Sequence, residues 1–295
     1  MGQVPRDARL MFQGLVSGLA AGGTFAALGL LLTAMYRLTA TVNLAVAATG
    51  VAGVYVMAAL TGTGLPYWAA ALAGVAAGAL VSAGCGLVMT RWFAESGPQT
   101  RTAVSIAQLI GIIALAYIAF GDEPRVLPNP AAGPVATIAG VVVTQGAVVL
   151  LLLAVVIGAG TSLVLTRTPL GLRLRAMAER PVTTELLGIG TRALTITVWA
   201  LAGALAALVL LLVAPVRTSD ILSLSMLIVP ACAAALLGGL RRLDGALAGG
   251  IALGLVEGLL AGSAAVQQYR DVVPFAAILL ILVWSRRREV WDASR

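Results

Sequence analysis

Long runs of uncharged, mostly apolar residues alternate with short charged segments along the whole chain. A helix needs about 20 apolar residues to cross about 30 Å of hydrocarbon, and several of these runs have roughly that length. They cover residues 12–36, 102–120, 139–166, 193–213 and 221–240. We therefore predict that each of them forms one transmembrane helix.

Two further runs are longer and carry internal breaks. Residues 38–90 hold no charge and exceed one crossing, and the turn-forming stretch 61–66, Thr-Gly-Thr-Gly-Leu-Pro, divides them into two spans. Residues 245–285 are interrupted by Glu257 and by the polar stretch 267–271, which leaves two shorter apolar pieces. The predicted fold is an all-α, polytopic membrane protein with eight or nine transmembrane helices, organised as a single transmembrane domain over residues 1–295.

Composition supports this fold class and narrows the possible chemistry. The 295 residues are 60% hydrophobic and 11% charged, whereas a soluble domain is about half apolar and about a quarter charged. All 19 basic residues are arginine, and the chain has neither lysine nor histidine. A Ser-His-Asp triad, an imidazole metal ligand, a Schiff base and a P-loop are therefore excluded. We expect no enzyme activity, no cofactor and no metal site, and Cys85 and Cys232 lie in apolar runs as small buried residues.

The positions of the arginines predict the orientation in the membrane, because positively charged loops stay on the cytoplasmic side. Threading nine crossings back from a cytoplasmic C-terminus places fourteen arginines inside and five outside, namely Arg6, Arg9, Arg125, Arg217 and Arg270. The C-terminus is therefore predicted to be cytoplasmic in the plasma (inner) membrane, whereas the side of the N-terminus depends on the number of crossings. The net charge of +7 is spread between apolar runs, which indicates topology signals and no nucleic-acid partner.

Glycines recur at intervals of four residues near both ends of the chain. One stripe is Gly14, Gly18 and Gly22, and the other is Gly250, Gly254, Gly258 and Gly262. On a helix this spacing presents a smooth face against which a neighbouring backbone packs closely. We favour plain helix packing for each stripe; the functional alternative is that the two helices pack together at a central pathway and slide.

The longest polar insertion, residues 167–192, is predicted to contain two short helices. Pro169 and Gly171 precede interleaved leucine, methionine and arginine residues up to about Pro181, which is typical of an amphipathic helix. A second helix is predicted over 183–187, ending at Gly188. The insertion either lies on the lipid headgroups or docks a cytoplasmic partner, and its exposed leucine and methionine side chains favour docking.

Four collinear stretches resemble the permease subunits of ABC importers of the branched-chain amino acid type. The first two are Tyr36-Arg37 through Asn43-Leu44-Ala45 to Gly53-Val54-Tyr55, and Phe120-Gly121 with Leu127-Pro128. The third contains Gly171, Arg175-Ala176, Gly188-Ile189 and Ala202-Gly203-Ala204-Leu205-Ala206. The fourth runs from Leu237-Gly238-Gly239 through Gly245-Ala246 and Gly249-Gly250 to Gly254 and Glu257.

This resemblance implies a division of labour among subunits. The basic loop, about residues 167–192, would couple the permease to a separate ATP-binding subunit, in agreement with the missing P-loop lysine. A second permease subunit, in a homodimer or heterodimer, and an extracytoplasmic solute-binding protein would complete the assembly in the lipid bilayer. The residues that we assign to the ATPase contact on this basis are Gly171, Arg175, Ala176, Glu179, Glu185 and Gly188.

The leading hypothesis is a permease that moves a small polar solute by alternating access, driven by the separate ATPase. Candidate pathway residues are the few polar groups within spans, Thr24, Asn43, Tyr55, Gln108 and Glu257. The related permeases carry His-Gly-Glu where this chain has Val46-Ala47-Ala48. The substrate therefore stays open among branched-chain amino acids, urea and related amides.

The rival hypothesis is an ion-coupled secondary transporter or a channel that uses Glu257. A carboxylate in hydrocarbon is costly and marks an ion or solute pathway, unless it ties helices together or lies closer to the interface. Both readings of Glu257 are open on the sequence alone.

Overall fold

The computed structural model describes residues 6–293 except 124, 126, 130, 139, 140, 218, 219 and 263–265, and it describes side chains over 13–284 apart from these gaps and residues 138, 141, 181 and 182. The helices are α1 (Arg6–Thr39), α2 (Val46–Gly62), α3 (Tyr67–Trp92), α4 (Pro98–Phe120), α5 (Gln145–Arg167), α6 (Pro169–Glu179), α7 (Pro181–Leu186), α8 (Thr191–Val213), α9 (Ile221–Ser225), α10 (Ile228–Leu237), α11 (Leu243–Ala261) and α12 (Val273–Ala293). Two strands, β1 (Pro134–Ile138) and β2 (Val141–Thr144), pair antiparallel. Short 3-10 helices cover Ala214–Val216 and Gln267–Val272.

The long apolar runs form the predicted helices. Within the described residues, six helices are long and apolar enough to cross a membrane: most of α1, then α3, α4, α5, α8 with its 3-10 extension, and α11. The shorter α2 and the α9–α10 pair are also apolar. The turn predicted at 61–66 separates α2 from α3 as expected. An all-α polytopic membrane fold is therefore confirmed.

Two predicted spans differ in detail from the structure. The run 221–240 forms two short helices, because a proline at position 230 of one continuous helix would clash with the carbonyl of Met226, and the helix breaks there. The run 139–166 begins as strand β2, whose β-branched valines favour extended backbone. Helix α5 starts only at Gln145, where the Thr144 hydroxyl accepts a hydrogen bond from the backbone N–H of Ala147 at 3.4 Å.

The two glycine stripes face each other across the interface of α1 and α11. A Cβ atom placed on Gly18 would lie 3.1 Å from the Cα of Gly258, and one on Gly22 would lie 3.0 Å from the Cα of Ile251. The helices run antiparallel, with Gly14 beside Gly258 and Ala26 beside Gly250. The expectation of close helix packing is confirmed, because only hydrogen at these positions allows the two backbones to touch.

A second group of helices consists of α2, α3 and α8. A Cβ atom on Gly50 of α2 would lie 2.8 Å from the carbonyl carbon of Ala206 in α8. The hydroxyl of Ser82 in α3 donates a hydrogen bond of 2.6 Å to the carbonyl oxygen of Trp199, which is fully buried. Small residues and one interhelical hydrogen bond therefore hold this group together, as is common for helices in lipid.

The chain between α1 and α2 is irregular yet buried. Its backbone groups are satisfied by side chains: the N–H of Ala45 donates to the Asn43 Oδ1 atom at 3.0 Å, and the Ser105 hydroxyl of α4 donates to the carbonyl of Val42 at 2.9 Å. Non-helical backbone is tolerated within a membrane only where protein groups satisfy it in this way. Asn43 and Ser105 thus allow α2 to begin inside the bundle.

Candidate functional site

The polar insertion between α5 and α8 is built as a compact pair of helices. The Thr168 hydroxyl caps α6, accepting from the backbone N–H of Gly171 at 3.0 Å and donating to the carbonyl of Val164 at 2.6 Å. Gly171 is buried, and a Cβ atom there would lie 2.6 Å from the Cα of Leu165. This contact fixes α6 against the end of α5. Leu174 and Met177 of α6 are buried, and the Met177 sulfur accepts from the Thr195 hydroxyl of α8 at 3.5 Å.

The opposite face of α6 is exposed and charged, and α7 adds apolar side chains. Arg175 and Glu179 are exposed, while Leu186 and Leu187 expose 83% and 75% of their surface. Large aliphatic side chains exposed so fully between charged groups are typical of a protein contact surface. We call the exposed residues of 169–188 the insertion face.

The chain leaves α7 through a turn that needs glycine. Gly188 has a φ of +79°, a conformation that other residues adopt only with strain. The Thr191 hydroxyl donates a hydrogen bond to the Glu185 carboxylate, and this bond joins the end of α7 to the start of α8.

The structure therefore places the six predicted contact residues in different surroundings. Arg175, Glu179, Glu185 and Gly188 are exposed, Ala176 is half-buried and Gly171 is buried.

A cavity of about 790 Å³ lies at the other end of α5 and α8. The first turns of α5 contribute Ala147 and Leu150, and the last turn of α8 contributes Leu212 and Val213. Since α6 follows the last residue of α5 and α7 precedes the first residue of α8, the cavity and the insertion face occupy opposite ends of the bundle.

Four charged side chains line this cavity. Arg217, which follows α8, and Glu257 of α11 approach to 3.8 Å between Nη2 and Oε1, and Arg270 approaches Asp271 to 3.4 Å between Nε and Oδ1. The Arg217 guanidinium also lies 5.8 Å from the centre of the Phe25 ring, within the range of a cation–π contact.

Of the five candidate pathway residues, Thr24 and Glu257 line the cavity. The Thr24 hydroxyl donates to the carbonyl of Ala20 at 3.1 Å, one helical turn earlier. Arg217, Arg270 and Asp271 are also lining residues, although the sequence predicts only a topology role for the two arginines. These residues can be recognised as part of a site only from the structure, because they lie next to Glu257 in space but not in sequence.

Asn43, Tyr55 and Gln108 are not among the residues that line this cavity. Asn43 holds the loop before α2, and the Tyr55 ring lies 5.6 Å from that of Phe120. The Gln108 amide donates to the carbonyl of Cys85 at 3.1 Å, while its Oε1 atom is buried with no hydrogen-bond partner among the described residues. Asn43 and Gln108 therefore make interhelical or loop-stabilising contacts away from the cavity.

The described residues offer no cluster of side chains that could bind a metal ion. Among the described residues, no group of three or more His, Cys, Asp or Glu side chains converges on one point, and Cys85 and Cys232 are free thiols. The chemistry that the arrangement offers is charge recognition and hydrogen bonding.

A bundle of long apolar helices, with glycine-lined contacts and a charged cavity at one end, fits a multi-pass membrane permease. The sequence model of the family "Branched-chain amino acid transport system / permease component" matches residues 14–282, and the chain belongs to this family. It is 28% identical over 290 residues to the high-affinity branched-chain amino acid transport system permease protein BraD of Pseudomonas aeruginosa, covering 92% of this chain and 93% of BraD.

A shorter match joins the chain to an archaeal relative. The probable branched-chain amino acid transport permease protein LivH of Methanocaldococcus jannaschii is 34% identical over 101 residues, which are 34% of this chain and 32% of LivH. The family resemblance read from the sequence is confirmed by these comparisons.

Proposed function

We propose that the chain is the permease subunit of an ATP-binding-cassette importer that carries branched-chain amino acids into the cell. The observation that carries this proposal is the insertion face, a charged and apolar surface at the end of the bundle opposite the cavity. An importer of this type needs a port for solute on one side and a contact for its ATPase on the other.

The substrate class comes from the relatives, whose names specify branched-chain amino acid transport. Urea and related amides are the other solutes that the sequence leaves open. The cavity supports the amino acid, because its arginine and carboxylate side chains can form charge-assisted hydrogen bonds with the carboxylate and the ammonium group of a zwitterion, whereas urea carries neither group.

We infer that the insertion face lies in the cytoplasm. Arg167, Arg173, Arg175, Arg180 and Arg192 all belong to or flank this segment, and cytoplasmic loops carry such an excess of arginine. The cavity then opens toward the outside, where a solute-binding protein would deliver the substrate.

The proposed mechanism is alternating access. Closure of the ATPase would push the insertion face, and α6 would transmit the movement to α5 through the tight contact at Gly171. A second permease subunit would complete the pathway, so that this chain performs no covalent chemistry itself.

The test is assembly with an ATPase and ATP-driven uptake. The chain is co-expressed with a branched-chain amino acid type ATP-binding subunit of the same organism and purified by a tag on the permease. Reversing charge with Arg175→Glu or Glu179→Arg should lower the co-purified ATPase at least about fivefold, because like charges then face each other across the contact. Arg125→Glu, which changes an exposed arginine far along the chain from the insertion, is the matched control.

Uptake by the reconstituted transporter decides the substrate. Radiolabelled leucine should accumulate only with ATP, and excess isoleucine or valine should compete while urea should not. ATPase capture that survives both charge reversals, together with uptake that proceeds without ATP, would refute the proposal.

A second candidate function rests on Glu257, a carboxylate in the membrane-spanning helix α11 that lines the cavity. Such a group is the usual requirement of a proton-coupled transporter. Uptake that follows a proton gradient without ATP, and loses that dependence in Glu257→Gln, would favour this function over the importer.

A further inference from the structure

The charged side chains of the cavity occur as opposite pairs. Arg217 and Arg270 supply two positive charges and Glu257 and Asp271 two negative charges, so the charged groups of the described lining sum to zero. A ligand with a net charge would leave one side of this arrangement without compensation. A ligand that itself carries one positive and one negative group leaves none.

The Arg217–Glu257 pair is the better placed of the two. Its side chains are 38% and 16% exposed, whereas those of Arg270 and Asp271 are 47% and 81% exposed, so solvent screens the second pair more strongly. The 3.8 Å separation of Arg217 and Glu257 is longer than a charge-assisted hydrogen bond of about 2.7–2.9 Å. Ligand groups that bind beside the pair from the cavity can therefore form shorter bonds to each side chain than the two side chains form with each other.

Most of the remaining lining side chains are aliphatic, and the polar ones are Gln13, Ser17, Thr24 and Thr144. Ala20 and Ala21 of α1, Leu150 of α5 and Leu212 and Val213 of α8 surround the space beside the charged pair. Leu150 and Val213 are buried. Small-molecule sites are typically cavities of about 300–1,000 Å³ with a mostly apolar wall and a few charged or polar groups.

The geometry points to this cavity as a binding site for a zwitterionic aliphatic α-amino acid, in which Glu257 binds the α-ammonium group, Arg217 binds the α-carboxylate and the aliphatic wall receives the side chain. The inference rests on the proposed function for the identity of the solute. It adds the site within the permease and the residues that read each end of the molecule.

A labelling assay tests occupancy without any partner subunit. Ser17 is exposed and lines the cavity, so Ser17→Cys in the full-length chain, held in lipid nanodiscs, reports access of a hydrophilic maleimide. L-leucine should slow this labelling. Leucinamide, which lacks the carboxylate, and 4-methylpentanoate, which lacks the ammonium group, should each need at least about tenfold higher concentration, the effect of losing about 1.4 kcal/mol.

Two neutral variants assign the ends of the ligand. In Glu257→Gln the advantage of leucine over 4-methylpentanoate should disappear, while its advantage over leucinamide persists. In Arg217→Gln the advantage of leucine over leucinamide should disappear, while its advantage over 4-methylpentanoate persists. A pair that merely ties α8 to α11 would weaken protection by leucine, leucinamide and 4-methylpentanoate equally, so that this result would overturn the inference.

Control variants distinguish a loss of ligand binding from misfolding, and a failure of this inference from a failure of the proposed function. Arg125→Gln, a neutralised arginine that does not line the cavity, should behave like the parent, and Arg217→Lys and Glu257→Asp should restore part of the discrimination. Equal protection by the three compounds in the unsubstituted cavity would also overturn the inference. Leucine protection without ATPase assembly would refute only the importer, and assembly without protection only the site.

Discussion

Gly254 lies where the backbones of α11 and α1 touch. A Cβ atom built on it would overlap the backbone of Gly22 and reach the carbonyl oxygen of Gly18. Because these neighbours are main-chain atoms of a helix, they cannot rotate away as a side chain would. One methyl group at this position must therefore move a whole helix.

We predict that Gly254→Ala lowers the stability of the permease by about 1–3 kcal/mol, the usual cost of overpacking. The midpoint of unfolding in a denaturant series in lipid-detergent micelles measures this loss. Gly160→Ala in α5 is the matched control, because nothing lies within 4 Å of a Cβ atom there. Equal midpoints for the two variants would show that α1 and α11 are not in backbone contact.

For single polar residues within apolar runs, the sequence predicts that they are unusual but not what they do. Thr24, Asn43 and Glu257 all stand out as polar groups in apolar runs, yet Asn43 bonds the N–H of Ala45 in a buried loop while the other two line the cavity. A lone amide satisfies irregular backbone or faces a solute equally well, and only the path of the chain decides. The sequence does not reveal the pairing of Arg217 either, since its partner Glu257 lies on another helix.

At the scale of the element, the closest packing of α6 on α5 is at Gly171. Gly171 lies against Val164 and Leu165 of the preceding helix, whereas the exposed face of α6 carries Arg175 and Glu179. In the proposed coupling this helix moves together with α5, and the contact at Gly171 would then transmit the movement in addition to its packing role.

We predict that Gly171→Val lowers ATP-driven leucine uptake at least about fivefold, because the added side chain displaces α6 from the end of α5. The Ser17→Cys labelling assay should still show leucine protection, since the cavity lies at the opposite end of α5. Gly190→Ala, with no neighbour closer than 4.0 Å to the added methyl, is the control. Unchanged uptake in Gly171→Val would show that transport does not depend on the contact between α5 and α6 at Gly171.

Elements differ in how well the apolar pattern predicts them. Long uncharged runs such as 193–213 leave no alternative to a spanning helix, and the structure places α8 there. The break at Met226, between α9 and α10, depends on the place of a single proline within an apolar run. The β1–β2 pair contains valines that suit a helix in lipid as well as a strand, so the pattern alone does not separate these outcomes.

At the scale of the whole molecule, the two candidate sites are separated by the length of α5 and α8. The sequence predicts one of them, the insertion, because a long charged stretch between apolar runs is visible along the chain. The cavity is formed by α1, α5, α8 and α11, whose residues are far apart in sequence. A site assembled from four separate helices leaves no local pattern, and it became recognisable only in three dimensions.

The orientation that joins these sites to the two sides of the membrane is itself testable. Glu95 lies between α3 and α4, Asp122 between α4 and α5, and Leu187 between α7 and α8, and all three are exposed. The positive-inside rule places Glu95 and Leu187 in the cytoplasm, since Arg91, Arg101, Arg180 and Arg192 flank them. One crossing by α4 and one by α5 then place Asp122 outside, at the end of the bundle that holds the cavity.

We therefore predict that a membrane-impermeant maleimide labels Asp122→Cys in intact cells, and labels Glu95→Cys and Leu187→Cys only in inverted membrane vesicles. The native thiols give little background, because Cys85 is buried, Cys232 is half-buried and both lie in apolar helices; the parent chain measures what remains. Labelling of Leu187→Cys from outside would place the insertion face where no ATPase can reach it. Labelling of Asp122→Cys and Leu187→Cys from the same side would instead mean that α5 does not cross the membrane, and the separation of cavity and insertion face across the bilayer would be lost.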